Sequence, residues 1–287
     1  MRAGSDSARA ADLQLTAFGT VLHLRQIPET LLQKCLLPDW QLERPDREPH
    51  VILECDARTG APGSLRLLTE QKTVSQTPFT VENLLESLDQ SLHLAIAEFS
   101  PQAIFVHAGV CVRNGAAVIV PGRSHAGKST LIKALADAGA TYYSDEFAPI
   151  LPDGSVIPYP KPLSLRSPGQ GLDPSRNGSA KVDPGTLGWK SDLPPVPIGI
   201  VAAVSYRPEE PGAGPTTISK AEATALLLDN TVPMLRAPTR SLSSVARAIR
   251  HARCLGGSRG EASGFARELL RVLAAEVSQS AASGRMT

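Results

Sequence analysis

The hydrophobic and polar positions divide the chain into two regions. Residues 13–25 (LQLTAFGTVLHLR) alternate around a glycine, and residues 50–57 (HVILECDA) and 63–70 (GSLRLLTE) alternate on either side of a turn. A period of two is typical of half-buried strands. Residues 80–98 instead place leucines at helical spacing. The pattern predicts a β-rich N-terminal region over 13–98 that ends in a linking helix.

From residue 99 the pattern changes to continuous apolar runs. Residues 103–112 (AIFVHAGVCV) and 116–122 (AAVIVPG) are apolar runs that include or end at Gly or Pro, as buried strands are. Helices are expected after the second of these runs and near the end of the chain. The pattern predicts a larger α/β domain over 99–277. Further strands are expected at 141–151 and 198–206, and further helices at 219–232 and 265–277.

Loops and tails are expected between and around these elements. Residues 167–197 are rich in Gly and Pro and hold few apolar residues, which predicts a long mobile loop. Small polar residues at 1–12 and 278–287 predict disordered tails. The first residues lack the apolar segment of a secretory signal, and no apolar stretch reaches the roughly 18 residues of a membrane helix. We therefore expect a cytoplasmic protein.

Composition narrows the classes of partner. The 287 residues carry 29 Lys and Arg against 28 Asp and Glu, a net charge of +1, so neither nucleic acid nor a membrane is an expected partner. Four cysteines lie far apart without a CxxC pair, which argues against a zinc ribbon or a disulfide framework. A homo-oligomer is left open by the sequence.

A phosphate-loop pattern lies between the second apolar run and the helix that follows it. GRSHAGKS at 122–129 matches the Walker A pattern G-x-x-x-x-G-K-[ST]. Backbone N–H groups at a helix N-terminus, an ammonium and a hydroxyl suit a nucleotide phosphate and its Mg²⁺ ion. The alternative is a Gly-rich turn that contains Lys and Ser by coincidence. The predicted nucleotide-binding residues are Gly122, Arg123, Ser124, His125, Ala126, Gly127, Lys128, Ser129 and Thr130.

Two adjacent acids end the next predicted strand. Asp145 and Glu146 follow Ser144 in TYYSDE, and the carboxyl ends of parallel strands lie beside a phosphate loop. One carboxylate can accept the proton of an attacking hydroxyl while its neighbour holds magnesium. The alternative is a solvated acidic turn.

Residues 105–150, from FVHAGV to DEFAPI, resemble the catalytic core of the HPr kinase/phosphorylase family. Within it they are most similar to the HPr-kinase-like peptide and protein serine kinases, including lasso-peptide kinases. The resemblance implies a P-loop HPr-kinase-like core and catalytic roles for His107, Lys128 and Asp145. It places Glu146 at the metal position with Ser129, where the family usually has a second aspartate. Without the resemblance, His107 on its apolar strand is interpreted as a core histidine.

The segment PYPKPLSLR at 158–166 looks like a feature of the kinase-like branch. Lys161 and Arg166 on this segment are candidate contacts to phosphate or substrate, with a solvated surface role as the alternative. A counterpart of the Gly-rich segment used in the phosphorylase direction is missing, which argues against phosphorylase activity and against HPr as the substrate.

The leading hypothesis is therefore a kinase that uses ATP and Mg²⁺. It would transfer the γ-phosphoryl group to a Ser or Thr hydroxyl of a protein or peptide, with a ribosomal peptide precursor among the candidates. Two alternatives are a small-molecule kinase on the same core and a non-catalytic binding module gated by nucleotide.

Overall fold

The chain folds into two mixed α/β units in the computed structural model, Met1–Gln102 and Ala103–Thr287. Each unit has its own sheet, and the α/β class expected from the sequence is confirmed. The structure describes residues 12–57, 62–70, 72–122, 127–166, 179–207 and 214–282. None of the helices in these ranges is both long and apolar enough to span a membrane.

The N-terminal unit is a six-stranded sheet covered by a helix. Its strand order is β3-β1-β2-β4-β5-β6, and only β2 and β4 are parallel neighbours. Three buried leucine and isoleucine side chains of α2 lie at helical spacing, and α2 packs on β2, β4, β5 and β6. The elements are β1 (Leu13–Ala17), β2 (Thr20–Arg25), α1 (Glu29–Leu32), β3 (Leu42–Glu43), β4 (Val51–Asp56), β5 (Gly63–Leu68), β6 (Thr73–Phe79) and α2 (Leu84–Phe99).

The strands predicted on either side of the two turns in this unit are confirmed, and each pair is antiparallel. Strands β1 and β2 pair antiparallel around the turn at Phe18 and Gly19, and β4 pairs antiparallel with β5. The edge strand β6 was not predicted. Its sequence TVSQTPF is largely exposed, so it lacks the alternation that marks a half-buried strand.

The second unit is a three-layer arrangement around a seven-stranded sheet. The strand order is β10-β7-β8-β13-β15-β14, with β9 also paired to β7. Helices α3 and α6 pack on one face, and α4 and α5 pack on the other. The elements are β7 (Ile104–Arg113), β8 (Ala116–Pro121), α3 (Lys128–Asp137), β9 (Thr141–Ser144), β10 (Phe147–Ile150), β11 (Leu163–Arg166), β12 (Ser179–Val182), β13 (Ile198–Tyr206), β14 (Thr216–Thr217), α4 (Lys220–Asp229), α5 (Pro238–Ala248), β15 (Arg253–Arg259) and α6 (Ala262–Ala282).

Strand directions bring the predicted motifs to one edge of this sheet. Strands β8, β13 and β15 are parallel, so their carboxyl ends share that edge. Strand β7 is antiparallel to β8 and aligns Ala108 with Pro121. The strand predicted over 141–151 is divided into β9 and β10, both antiparallel to β7. The bend between them holds Asp145 and Glu146 opposite the middle of β7.

The loop predicted over 167–197 contains two short elements in the part that the structure describes. Residues 179–182 form β12, which pairs with β11, and Pro184–Leu187 form a 3-10 helix. The Asp183 carboxylate caps this helix by accepting a hydrogen bond from Gly185 N. A few apolar side chains, such as that of buried Leu187, are enough to hold these two elements in place, because they pack on a core that is already large. Residues 167–178 lie outside the described residues.

The tail predicted over 278–287 is wrong at its start. Helix α6 continues to Ala282, because SQSAA contains no proline or glycine that would end a helix. The tail predicted over 1–12 lies almost wholly outside the described residues.

Gly109 on β7 lies where the sheet packs against α3, so a substitution there tests this contact. A Cβ there would lie 2.4 Å from Ile132 Cγ1 and 2.6 Å from its Cδ1, and Ile132 is fully buried. We expect Gly109→Ala to lower the free energy of unfolding by about 1–3 kcal/mol. The matched control is Gly264→Ala on α6, where an added Cβ meets nothing within 4 Å and should stabilise by about 0.5–1 kcal/mol. Chemical denaturation measures both, and equal effects of the two variants would contradict the packing argument.

Candidate active site

The two glycines of the phosphate-loop motif have backbone conformations that other residues rarely adopt. Gly122 has φ of 151° and Gly127 has φ of 74°, so both lie where an L side chain is strained. Gly127 is the N-cap residue of α3, and Gly122 N donates a hydrogen bond to His107 O at 3.1 Å. The motif thus ends at a helix N-terminus, which is a favourable place for an anion. Four motif residues lie outside the described residues: Arg123, Ser124, His125 and Ala126.

Lys128 and Ser129 occupy the first turn of α3. The Lys128 Nζ donates to Gly122 O at 3.4 Å, so the ammonium folds back over the start of the motif. Loss of hydration lowers the pKa of Lys128, and the charges of Asp145 and Glu146 act in the opposite direction. Thr130 is exposed on the same turn.

Asp145 is joined directly to the phosphate-loop helix. Ser129 Oγ donates a hydrogen bond of 2.7 Å to Asp145 Oδ2, while Asp145 Oδ1 is shielded from solvent and has no hydrogen-bond partner among the described residues. Burial raises the pKa of Asp145 to about 6, against the opposing effects of Lys128 and the Ser129 hydrogen bond. The site therefore holds a carboxylate whose charge is incompletely compensated.

Glu146 points to a different partner. Its Oε2 lies 2.6 Å from Lys161 Nζ, and the backbone of Lys161 is fixed because Tyr142 Oη donates to its carbonyl at 2.6 Å. Two carboxylates and two ammonium groups thus lie together at this edge of the sheet. Arg166 ends β11, and its side chain is outside the described atoms.

His107 contributes to the site through its backbone and its ring. Its carbonyl accepts the hydrogen bond from Gly122, and its N–H donates to Asn230 O at 2.8 Å. The imidazole packs against the ring of Phe147 with centroids 4.7 Å apart. Since Phe147 follows Glu146 directly, His107 connects the phosphate loop to the acidic bend.

Sequence reasoning missed one residue that contacts the phosphate loop. Arg259, at the end of β15, donates from Nη2 to Gly127 O at 2.5 Å. Its strand, RCLGGSR, contains two glycines and no apolar run, so no pattern indicated a buried strand there. An arginine 131 residues after Lys128 gives no local signal, and only the parallel pairing of β13 and β15 brings it to the loop.

The side chains present fit a hard cation better than a soft one. No group of three or more His, Cys, Asp and Glu side chains converges anywhere in the described parts of the chain, so a complete protein cage is not seen there. Among the described residues of the site, the available donors are a hydroxyl and two carboxylates, and one carboxylate oxygen has no hydrogen-bond partner there. Magnesium is commonly held by one or two carboxylates together with substrate phosphates.

No family model, curated protein or solved structure matches this chain. The resemblance to the HPr kinase/phosphorylase family therefore rests on the sequence patterns at 105–150 and 158–166 and stays an expectation. The geometry of the described residues is a second, separate observation. A helix N-terminus, a lysine and an acid–hydroxyl pair meet at one sheet edge.

Proposed function

We propose that this protein is an ATP-dependent kinase that phosphorylates a Ser or Thr hydroxyl of a protein or peptide. One observation carries the proposal: the 2.7 Å hydrogen bond from Ser129 to Asp145. This bond places the Asp145 carboxylate next to the phosphate-loop helix. A site that only bound a nucleotide would not need a proton-accepting carboxylate there. Phosphoryl transfer needs both a phosphate cradle and a group that accepts the proton of the attacking hydroxyl.

The phosphate loop supplies the binding half of this proposal. Backbone N–H groups at the start of α3 and the Lys128 ammonium would hold the phosphate oxygens of ATP. The burial that lowers the pKa of Lys128 also strengthens its electrostatic attraction to a bound phosphate, because water screens it less.

Asp145 would supply the proton-accepting half. The acceptor oxygen forms a bond to the γ-phosphorus, the bond from that phosphorus to the β–γ bridging oxygen breaks, and ADP leaves. Asp145 takes the hydroxyl proton. A pKa of about 6 suits this role, because the carboxylate is ionised at neutral pH and more basic than an ordinary aspartate. Its Oδ1, which has no hydrogen-bond partner among the residues that the structure describes, is an atom that can accept the proton.

Ser129 and Glu146 are the residues that would hold magnesium, since hydroxyl and carboxylate oxygens are the ligands this ion prefers. When bound, Mg²⁺ neutralises charge on the phosphate oxygens. Lys161 holds the Glu146 carboxylate in place through their ion pair. Because it lies beside this proposed magnesium ligand, Lys161 stays a proposed contact to phosphate or substrate. Arg166 stays a proposed substrate contact on sequence grounds.

The test is a phosphorylation assay with purified protein, MgATP and candidate acceptors. Ribosomal precursor peptides that contain Ser or Thr are compared with a panel of hydroxylated metabolites, and mass spectrometry locates the added phosphoryl group. We expect a phosphorylated peptide. Tight ATP binding with no phosphorylated product in either panel would favour the binding module, and a phosphorylated metabolite would favour the small-molecule kinase.

A further inference from the structure

Arg259 is a buried cation that contacts the phosphate loop from behind. Only 2% of its surface is exposed. Nη2 donates to Gly127 O at 2.5 Å and Nη1 donates to Gly260 O at 3.1 Å. The guanidinium carbon lies 5.1 Å from the centroid of the Tyr206 ring, and Tyr206 is its neighbour across the β13–β15 pair. The side chain is thus fixed by two carbonyls and an aromatic ring.

Within the described parts of the chain, the charge of Arg259 has no direct acidic partner. Among the described residues no carboxylate forms an ion pair with it, although Glu261 and Tyr206 act on it at longer range. Because the side chain is buried, its charge is poorly solvated, and this lowers the pKa of the guanidinium. Buried arginines are normally paired, so a bound anion would complete the electrostatics here.

Gly127 makes the contact sterically possible. A Cβ at Gly127 would lie 2.7 Å from Arg259 Nη2 and 3.0 Å from Tyr206 Cβ. Glycine is therefore required at position 127 for two reasons: its positive φ and the close approach of the Arg259 side chain. This contact ties the phosphate-loop sequence to the end of β15.

The peptide between Gly127 and Lys128 transmits the effect of the cation. In a planar trans peptide the C=O and N–H point in opposite directions. Gly127 O also accepts from Leu131 N at 3.3 Å, so this carbonyl points into α3 and Lys128 N–H points out of the helix N-terminus. A cation bound to the carbonyl polarises the peptide and makes that N–H a stronger donor.

We propose that Arg259 is a positioning residue of the phosphate site: it fixes the Gly127–Lys128 peptide and strengthens the Lys128 N–H as a donor to a nucleoside polyphosphate. The inference rests on the proposed function only in taking the phosphate loop to bind phosphate. Arg259 itself stays behind the loop and acts through the peptide.

The test compares Arg259→Met and Arg259→Lys with Arg253→Met. Arg253 begins the same strand, is about half exposed and pairs with Glu276 at 3.2 Å, so it controls for loss of an arginine from β15. Calorimetry with inorganic triphosphate measures phosphate binding without any transfer reaction. We expect about a tenfold loss of affinity for Arg259→Met, because the Gly127–Lys128 peptide loses the cation that polarises it and the hydrogen bond that fixes it. A smaller loss is expected for Arg259→Lys, and none for Arg253→Met.

Steady-state kinetics separates positioning from a purely structural role. Loss of folded protein lowers kcat at constant KM, whereas loss of positioning raises the KM for MgATP with kcat within about threefold. If Arg259→Met does not fold, as circular dichroism would show, Arg259→Lys decides, because lysine keeps the charge without the planar pair of donors. A folded Arg259 variant with wild-type triphosphate affinity would overturn the inference.

The two proposals fail in different ways. Wild-type protein that binds triphosphate through Arg259 but phosphorylates no acceptor would overturn the kinase and leave the positioning role intact. An unchanged KM for MgATP in a folded Arg259 variant that still phosphorylates the acceptor would overturn the positioning role and leave the kinase intact. Wild-type protein that binds no triphosphate would overturn both.

Discussion

Lys128→Ala is expected to reduce ATP turnover by at least about 100-fold, the loss that follows removal of one preorganised donor to a developing charge. The ammonium lies over the start of the phosphate loop at Gly122 O, and its pKa responds to both Asp145 and Glu146. Without it, phosphate oxygens would approach two carboxylates with one fewer cation. ATP hydrolysis and peptide phosphorylation, measured under the same conditions, should both fall.

The matched control for this variant is Lys133→Ala. Lys133 lies on the same helix, and its ion pair with Asp137 is on the surface, where such pairs contribute roughly 0–1 kcal/mol. Turnover should stay within about twofold of wild type. Near wild-type turnover by the Lys128 variant would show that the phosphate loop has no part in the reaction and would contradict the proposed mechanism.

The local parts of this site could be predicted from the sequence. Chain neighbours alone define the helix that starts at Lys128 and the acids that end a strand. The motif also requires glycine at positions 122 and 127, where the structure shows positive φ. Backbone geometry of this kind is encoded within a few residues, so a short pattern suffices.

Contacts between distant residues could not be predicted in this way. Ser129 meets Asp145 because β7 pairs with β8, which precedes α3, and with β9 and β10, which flank Asp145. Lys161 meets Glu146 because its segment is hydrogen-bonded to β9, where Tyr142 donates to the Lys161 carbonyl. Arg259 reaches Gly127 through the parallel pairing of β13 with β15. No periodicity specifies which strands become neighbours, and these contacts depend on that choice.

Elements with weak hydrophobic patterns were missed for a related reason. Helix α5 buries mainly small side chains, including Ser241 and Ser244, so its buried face does not look apolar in the sequence. Strand β12 belongs to a two-stranded sheet that packs beside a core formed by other elements. Tertiary packing decides the structure at such positions.

Asp145→Asn separates the proton-accepting role of the acid from nucleotide binding. The amide keeps the shape of the side chain, and its oxygen can still accept the Ser129 hydrogen bond seen at 2.7 Å. Loss of a general base commonly costs about 10²–10⁴ in rate. We therefore expect phosphoryl transfer to fall by that factor while the affinity for ATP changes little, as single-turnover kinetics and calorimetry would show.

Stability gives an independent check that this loss is not unfolding. Burial raises the Asp145 pKa from 3.8 to about 6, so between these pH values the folded metal-free protein binds more protons than the unfolded chain. Its stability should fall as pH rises through that window, by on the order of 3 kcal/mol at most. Asparagine does not titrate. The variant should therefore be at least as stable as wild type at pH 7 and lack this part of the pH dependence.

Asp153→Asn provides the matched control for the acid. Asp153 is an exposed carboxylate in the same unit, and it accepts hydrogen bonds from Ser155 that an amide oxygen can also accept. Its transfer rate should equal that of wild type. A folded Asp145→Asn protein that transfers phosphoryl groups at the wild-type rate would show that this carboxylate only anchors Ser129. Glu146 would then be the next candidate to accept the proton among the described carboxylates at this edge of the sheet, and Glu146→Gln would be the next variant to measure.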